Sequence, residues 1–225
     1  MNILSKTIYQ TWYKKDLPES IQKSIDHMRD QNPNYSYELH DDESMLDFIS
    51  KEFNENIKQA YNNLKIGAAK ADLWRYLILF KRGGVYLDID SVIYNNLDTL
   101  ITDDCAIISR EKNYGKFVQW CLVFPPQHPI LEICINKCVN NILNKTTNDI
   151  LELTGPVVYS QSIKDYFNDQ MIYTKPDQEI NKISHISKTK VYSFDYDGYA
   201  LFTHPNKNEL YTNKLHWRDE AKALS

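Results

Sequence analysis

No apolar run in this sequence approaches the length of a membrane span. The longest strongly apolar stretch is the five residues YLILF at 76–80, where a helical span needs about 20. The N-terminal segment MNILSKTIYQTWYKK lacks the apolar core of a signal peptide. A cytoplasmic, reduced chain without a transmembrane segment is therefore expected. The four cysteines, Cys105, Cys121, Cys134 and Cys138, show no disulfide-framework spacing. Cys134 and Cys138 lie four apart, on one face of an expected helix. They read as buried thiols, because no nearby His or Cys completes a metal-ligand set. In that setting the sequon Asn144-Lys145-Thr146 reads as a polar loop. Basic excess is missing as well: the net charge is −4, so no global field would draw in nucleic acid. There is no repeat, no low-complexity tract and no Pro/Gly/Ser linker, which leaves a single domain spanning 1–225.

What is present suits a globular domain. The chain has 225 residues, 42% of them hydrophobic, enough to bury a core without staples. Its 16 tyrosines and 4 tryptophans fit a core and also fit stacking on planar or sugar rings. KTIYQTWY at 6–13 is β-branched and aromatic and predicts a first strand. Leu17-Pro18-Glu19 opens a helix with Ile21, Ile25 and Met28 at helical spacing, and Asn32-Pro33 stops it. YSYEL at 35–39 alternates as a short strand. In 41–53, capping-type acids precede Met45, Leu46, Phe48 and Ile49 on a helical face. KADLWRYLILFKRGG at 70–84 is the clearest helix, closed by glycines. Strands are further expected at 105–109, 120–124 and 190–202, and helices at 128–143 and after Pro156. Alternating strands and helices predict an α/β fold with a largely parallel central sheet.

The chemistry concentrates around RGGVYLDIDSV at 82–92. With a strand period of two, Tyr86, Asp88 and Asp90 face one way, and Val85, Leu87 and Ile89 face a core. Two carboxylates that close repel unless one is protonated or a cation lies between them. A hard divalent cation, Mg²⁺ or Mn²⁺, takes one or two carboxylates and completes its shell with water and substrate phosphates. Gly83 and Gly84 permit a tight turn and close approach of a ligand to the backbone. On the preceding helix, Leu73, Tyr76, Leu77 and Phe80 form an apolar stripe. Asp72 and Arg75 sit three apart on another part of its surface, as a solvated ion pair would.

KADLWRYLILFKRGGVYLDID resembles the signature of the DXD glycosyltransferases of family 32, which include yeast initiation mannosyltransferases, α-1,4-galactosyltransferases and bacterial capsule enzymes. Its pattern is a helix with A-D-x-x-R, a Gly-Gly turn and Y-L-D-x-D. A more distant likeness is to the clostridial glucosylating toxins. IYQTWYKKDLPESI resembles the family's I-H-Q-x-W start, PPQHPILE its P-x-H-P segment and LTGPVVYS its T-G-P loop. The likeness covers most of residues 3–165. Tyr9 stands where the family usually has His. Gln119 or Trp120 stands where an Asn is common ahead of P-x-H-P. LHW at 215–217 is the counterpart of the family's closing His and Trp. These departures bear on acceptor recognition more than on metal binding.

The resemblance implies a GT-A fold, Rossmann-like, with helices on both faces of a mostly parallel sheet. Residues 1–110 would form a donor-binding half and 111–225 an acceptor-side half. It further implies transfer of a sugar from a UDP- or GDP-linked donor, with retention, to a glycan, lipid-linked or other hydroxyl acceptor, with Mn²⁺ or Mg²⁺. Peripheral membrane contact is compatible with a lipid-linked acceptor. Asp90 would ligate the metal, Asp88 the metal or the ribose or sugar, and His216 would complete the metal or diphosphate site. Asp72 and Arg75 would bind donor-sugar hydroxyls. Trp12 would stack on the base and Trp217 cover the diphosphate, with Gln10, Gly84 and Tyr86 in the donor-binding set. Thr154 and Gly155 would line the acceptor side. Two other readings remain. YLDIDSVI also fits a haloacid-dehalogenase-like phosphatase, with Asp88 as nucleophile and Asp195–Gly198 (DYDG) as the loose metal partner. A glycan-binding protein on a transferase fold is the third.

Overall fold

β1 (Thr7–Thr11) and β2 (Ser36–His40) pair in parallel, joined by helix α1 (Glu19–Gln31). The helix buries the expected Ile21, Ile25 and Met28. The computed structural model describes residues 4–94, 96–101, 104, 106–110, 116–168, 189–193 and 202–203. α2 (Asp42–Glu52) starts with a capping box, in which Asp41 Oδ1 accepts from the Ser44 N–H and Ser44 Oγ from the Asp41 N–H. Such a cap satisfies two orphan donors at once. Leu46, expected on the buried face, is exposed. α3 (Glu55–Asn63) was not expected: its run ENIKQAYNN offers few apolar residues, and Ala60 and Tyr61 alone are buried.

α4 (Gly67–Arg82) leads into β3 (Gly84–Leu87). Next come β4 (Val92–Ile93), β5 (Ala106–Arg110) and β6 (Cys121–Phe124). α5 (Pro129–Asn144), α6 (Ile150–Leu153) and α7 (Pro156–Tyr166) follow. β7 (Thr189–Ser193) and β8 (Phe202–Thr203) are the last described elements. The six-stranded sheet has the order β2-β1-β3-β6-β5-β7. Within it β6 runs antiparallel to both neighbours and the other pairs are parallel; β4 and β8 pair antiparallel in a separate two-stranded sheet. The fold is thus α/β with a mostly parallel sheet.

The period of two sorts the strands as the sequence implied. Tyr9, Tyr86, Leu122, Phe124 and Ile108 face a core built with α2, α3, α4, α5 and α7. Ile8, Val85, Leu87, Val123 and Ile107 face the other side, where Met28 of α1, Ile93 and Leu97 cover them. Cys121, Cys134 and Cys138 are free and buried; Cys105 lies outside the described residues, as does DYDG.

Gly84 is held by the protein itself rather than by a ligand's approach. Its φ is +118°, and a Cβ there would meet Thr7 O at 2.7 Å and the Tyr9 ring at 3.0 Å. Gly84→Ala combines an unfavourable φ with overpacking against backbone, and should cost about 2–4 kcal/mol. Urea unfolding should show a lower midpoint at unchanged m-value.

The P-x-H-P segment resolves as a helix cap. His128 precedes α5, with Pro129 at its first position, and His128 Nδ1 accepts from the Ile130 N–H at 3.3 Å. Its ring packs on Phe124 and Tyr166, with centroids 5.1 and 5.8 Å away. Burial lowers its pKa from 6.5 to about 4. The unfolded chain therefore takes up this proton first, and the stability held above pH 6.5 is lost as pH falls toward 4. His128→Asn keeps a capping acceptor but cannot titrate. It should melt below the parent at neutral pH, and the gap should close on acidification through that window.

Candidate functional site

The strand carrying the two aspartates ends earlier than its alternation suggests. β3 stops at Leu87, and Asp88 to Ser91 form a turn in which the Ser91 N–H donates to Asp88 O at 2.9 Å. The expectation that Asp88 and Asp90 share a strand face is therefore corrected. The cause is beneath the turn. Gln10, fully buried on β1, donates from Nε2 to Asp88 O at 3.0 Å and to Ser91 O at 3.4 Å. Tyr37 OH donates in turn to Gln10 Oε1 at 3.0 Å. Backbone groups that would continue a ladder are taken by this amide instead. Gln10 thus holds the turn's backbone from below.

α4 brings Asp72 and Arg75 to the same end of β3, and their ion pair is buried rather than solvated. Arg75 Nη2 donates to Asp72 Oδ1 at 3.1 Å and to Asp88 Oδ1 at 3.0 Å. Nη1 donates to Gln119 O at 2.9 Å and Nε to Ala71 O at 3.2 Å. The guanidinium lies over the Tyr86 ring, 4.5 Å from its centroid. Tyr86 OH donates to Asp88 Oδ1 at 3.0 Å and lies 3.2 Å from Thr11 Oγ1. The cation that compensates Asp88 in this fold is the guanidinium. The Asp88 side chain remains 33% exposed, so it is open to a ligand, whereas Asp90 is buried.

Burial alone would drive protons off Arg75, but Asp88, Tyr86 and Asp72 hold it charged, above its ordinary value. For Asp72, burial pushes the pKa up to about 7; Arg75 pulls it down and Asp88 raises it. One guanidinium shared by two carboxylates does not offset complete burial. Thr154 Oγ1 donates to Asp72 Oδ2 at 3.2 Å, and Gln119 also hydrogen-bonds to this carboxyl. The T-G-P loop is thereby tied to α4. Gly155 is packed against Leu151 Cα, which leaves no room for a Cβ.

Residues 119–120 were not singled out as donor-site residues from sequence. Gln119 O takes Arg75, and Trp120 O takes the Asp88 N–H at 2.8 Å. The register Leu87↔Cys121 in an antiparallel pair sets residue 120 opposite residue 88. A parallel partner would have brought a distant strand end instead. Trp12 follows β1 directly. Its side chain is half-buried against Ile21, Ile25 and Ile89, and its backbone N–H donates to His40 O at 3.0 Å. Gly84 lies at the far end of β3 from Asp88 and is not brought to the site. His216 and Trp217 lie outside the described residues. The phosphatase pattern wants its motif on the first strand; here it follows the third, and Asp88 Oδ1 is occupied by Arg75 and Tyr86.

Residues 18–107 match the family described as glycosyltransferase sugar-binding region containing DXD motif. The initiation-specific alpha-1,6-mannosyltransferase of Schizosaccharomyces pombe is 27% identical over 197 residues, covering 74% of this chain and 50% of that protein. Inositol phosphoceramide mannosyltransferase 3 of the same yeast is 37% identical over 98 residues, 44% of this chain and 27% of that one. The chain thus spans about half the length, or less, of these relatives. In fold it is similar to a solved structure described as PaToxG glycosyltransferase, with TM-score 0.61, 21% identity and coverage of 73% and 70% of the two chains. That likeness supports the GT-A architecture. Among the described residues, no helix is long and apolar enough to cross a membrane. The A-D-x-x-R helix and the D-x-D turn meet at the C-terminal end of β3, and over residues 18–107 the chain is similar to the DXD-motif glycosyltransferases.

Proposed function

We propose that this chain transfers a hexosyl group from a nucleotide diphosphate sugar to a hydroxyl acceptor, with retention at the anomeric carbon and with Mn²⁺ or Mg²⁺. The observation that carries the reading is Arg75 bridging Asp72 and Asp88 at the C-terminal end of β3. Open α/β sheets bind ligands beyond such ends. Among the described residues no cluster of three or more His, Cys, Asp or Glu encloses a metal. Two neighbouring carboxylates still fit an ion that completes its shell with water and substrate phosphates. Asp90 and Asp88 would hold it, with His216 as a further ligand. Bound there, it supplies positive charge to the departing diphosphate.

The protein's own groups set the rest of the chemistry. Trp12 stacks on the base at the end of β1, and Trp217 covers the diphosphate. Asp72 and Arg75 present a fixed polar surface to the donor sugar. Gln10 and Tyr86 position the D-x-D turn. Thr154 and Gly155 would line the acceptor side; residues 1–110 would carry most donor contacts and 111–225 the acceptor side, with His216 and Trp217 reaching back to the donor. Asp72 is held by Arg75, Thr154 and Gln119, and Asp88 by Arg75 and Tyr86. Carboxylates bound by that many donors are poor nucleophiles, which favours front-face attack by the acceptor hydroxyl over a covalent glycosyl-enzyme. The relatives' names make mannose the first sugar to test, on a glycan or a lipid-linked acceptor.

The test is a donor panel of GDP-mannose, UDP-glucose, UDP-galactose and UDP-N-acetylglucosamine, each with and without Mn²⁺. Metal-dependent thermal stabilisation by one donor, with its slow hydrolysis, is expected. Aryl-phosphate hydrolysis lost in Asp88→Asn would point to a phosphatase instead. Glycan binding without any nucleotide or metal effect would point to a binding protein.

A further inference from the structure

Away from the carboxylates, five side-chain polar atoms shut off from solvent have no hydrogen-bond partner among the described residues, and two of the five sit on neighbouring rings. Those two are Trp74 Nε1 and His40 Nδ1. Their rings are neighbours, with centroids 4.7 Å apart and a 43° tilt. Tyr9 and Phe48 close around them, Tyr9 at 6.3 Å from His40 and 6.4 Å from Trp74, and Phe48 at 6.1 Å from Trp74. Apolar and aromatic walls supply no alternative partner.

The protonation pattern of the two atoms is complementary. His40 Nε2 lies 2.9 Å from Glu38 Oε2, and the same carboxylate faces Arg82 at 3.6 Å. A carboxylate accepts, so the imidazole proton sits on Nε2 and Nδ1 presents a lone pair. The indole N–H can only donate. An orphan donor beside an orphan acceptor is completed by one oxygen that accepts from the first and donates to the second. Leaving both unmet would incur the desolvation penalty of each group, and buried polar groups are regularly completed by internal water.

We propose that His40 and Trp74 form a binding site for a single internal water molecule, which accepts from Trp74 Nε1–H and donates to His40 Nδ1. The site has a definite place in the fold. His40 ends β2 and is in register with Thr11 of β1, whose hydroxyl pairs with Tyr86. Trp74 directly precedes Arg75 on α4. The water therefore ties the end of β2 to the helical turn that carries Arg75. This holds whether or not the transfer reaction is the one proposed above.

The test uses the ¹⁵N-labelled full chain at mildly alkaline pH. The Trp74 indole resonance is assigned by its disappearance in Trp74→Phe. Cross-peaks from this proton to water, with the sign of a long-lived bound molecule in paired NOE and ROE spectra, are expected, and their loss in His40→Phe. An indole proton with no water cross-peak would overturn the proposal, as would a coupling transmitted directly from Nε1 to Nδ1. A thermal double-mutant cycle gives a second readout. His40→Phe and Trp74→Phe each strand one polar group and should lower Tm by roughly 3–8 °C. The double variant strands neither and should lose clearly less than the sum, whereas simple additivity would argue against a shared water. Should either variant fail to fold, the indole proton is assigned by its NOEs to the Phe48 and Tyr9 rings, and the wild-type water cross-peaks decide.

Discussion

Arg75→Leu should lower stability by about 3–5 kcal/mol, the cost of breaking a buried charge pair from one side. In a chain of this size that is a fall in Tm of roughly 6–20 °C. The size follows from what the guanidinium holds. It donates to two carboxylates and two backbone carbonyls and covers the Tyr86 ring. Leucine fills part of the volume but leaves Asp72 and Asp88 facing each other with no cation, and Gln119 O without its donor. The pH dependence gives the sharper test. Asp72 in the folded chain titrates near 7 against 3.8 unfolded. The folded state therefore binds more protons in that interval, and this group's contribution to stability falls as pH rises through it. Arg75 lowers the Asp72 pKa, so its removal raises that value further. The loss in Arg75→Leu should thus be largest in alkaline buffer and smaller below pH 6. Denaturant titrations at two pH values and fixed salt would show it. Adding Asp72→Asn should recover part of the alkaline loss. Arg75→Lys should fall between, because a point charge on a flexible stem cannot fork to both carboxylates. A cost under about 1 kcal/mol for Arg75→Leu, typical of exposed pairs, would show that the guanidinium is not the centre of the network.

Which parts of this were legible in the sequence depends on the range of the interactions involved. α1, α4, α5 and α7 could be read because periodicity and caps are local: Ile21, Ile25 and Met28 are spaced along a helix, and Pro129 and Pro156 open theirs. The first strand and the D-x-D motif were equally plain. α3 escaped because its helical face carries Asn, Lys and Gln where a sequence reader looks for apolar residues. The end of β3 escaped for another reason. The letters VYLDIDSVI continue a strand pattern, and what stops it is Gln10, nearly eighty positions earlier in the chain. The ion pair of Asp72 and Arg75 looked solvated because i,i+3 spacing reports neighbours on one helix and says nothing of what covers them. Its cover is Gln119, just ahead of the antiparallel strand β6, and Thr154, from the loop before α7. Both are long-range partners whose placement follows from sheet order. The family resemblance supplied the motif's chemistry, but not the fact that an internal guanidinium already neutralises one of its aspartates.

Asp90→Asn should separate that internal role from the donor's. The turn bearing Asp90 is held by the Ser91 N–H on Asp88 O and by Gln10, both independent of the Asp90 carboxylate charge. Asparagine keeps the size and much of the hydrogen-bonding capacity, so its stability loss should be smaller than that of Asp88→Asn. In Asp88→Asn, Arg75 loses one of its two carboxylate partners. Removing a group that stabilises charge developing in the transition state costs on the order of 10²–10³-fold in rate. Asp90→Asn should therefore lose donor turnover by at least about 100-fold and lose the metal-dependent thermal shift, with unfolding close to the parent's. Asp88→Asn should lose turnover and also melt lower. The pair of variants discriminates because the Arg75 contact falls on Asp88 alone, whereas both aspartates carry the proposed metal role. If both lost turnover and stability in equal measure, the two carboxylates would act as one structural unit. If Asp90→Asn kept both turnover and the metal effect, the ligand assignment would move to Asp88 alone, whose side chain is 33% exposed and open to a donor's phosphates.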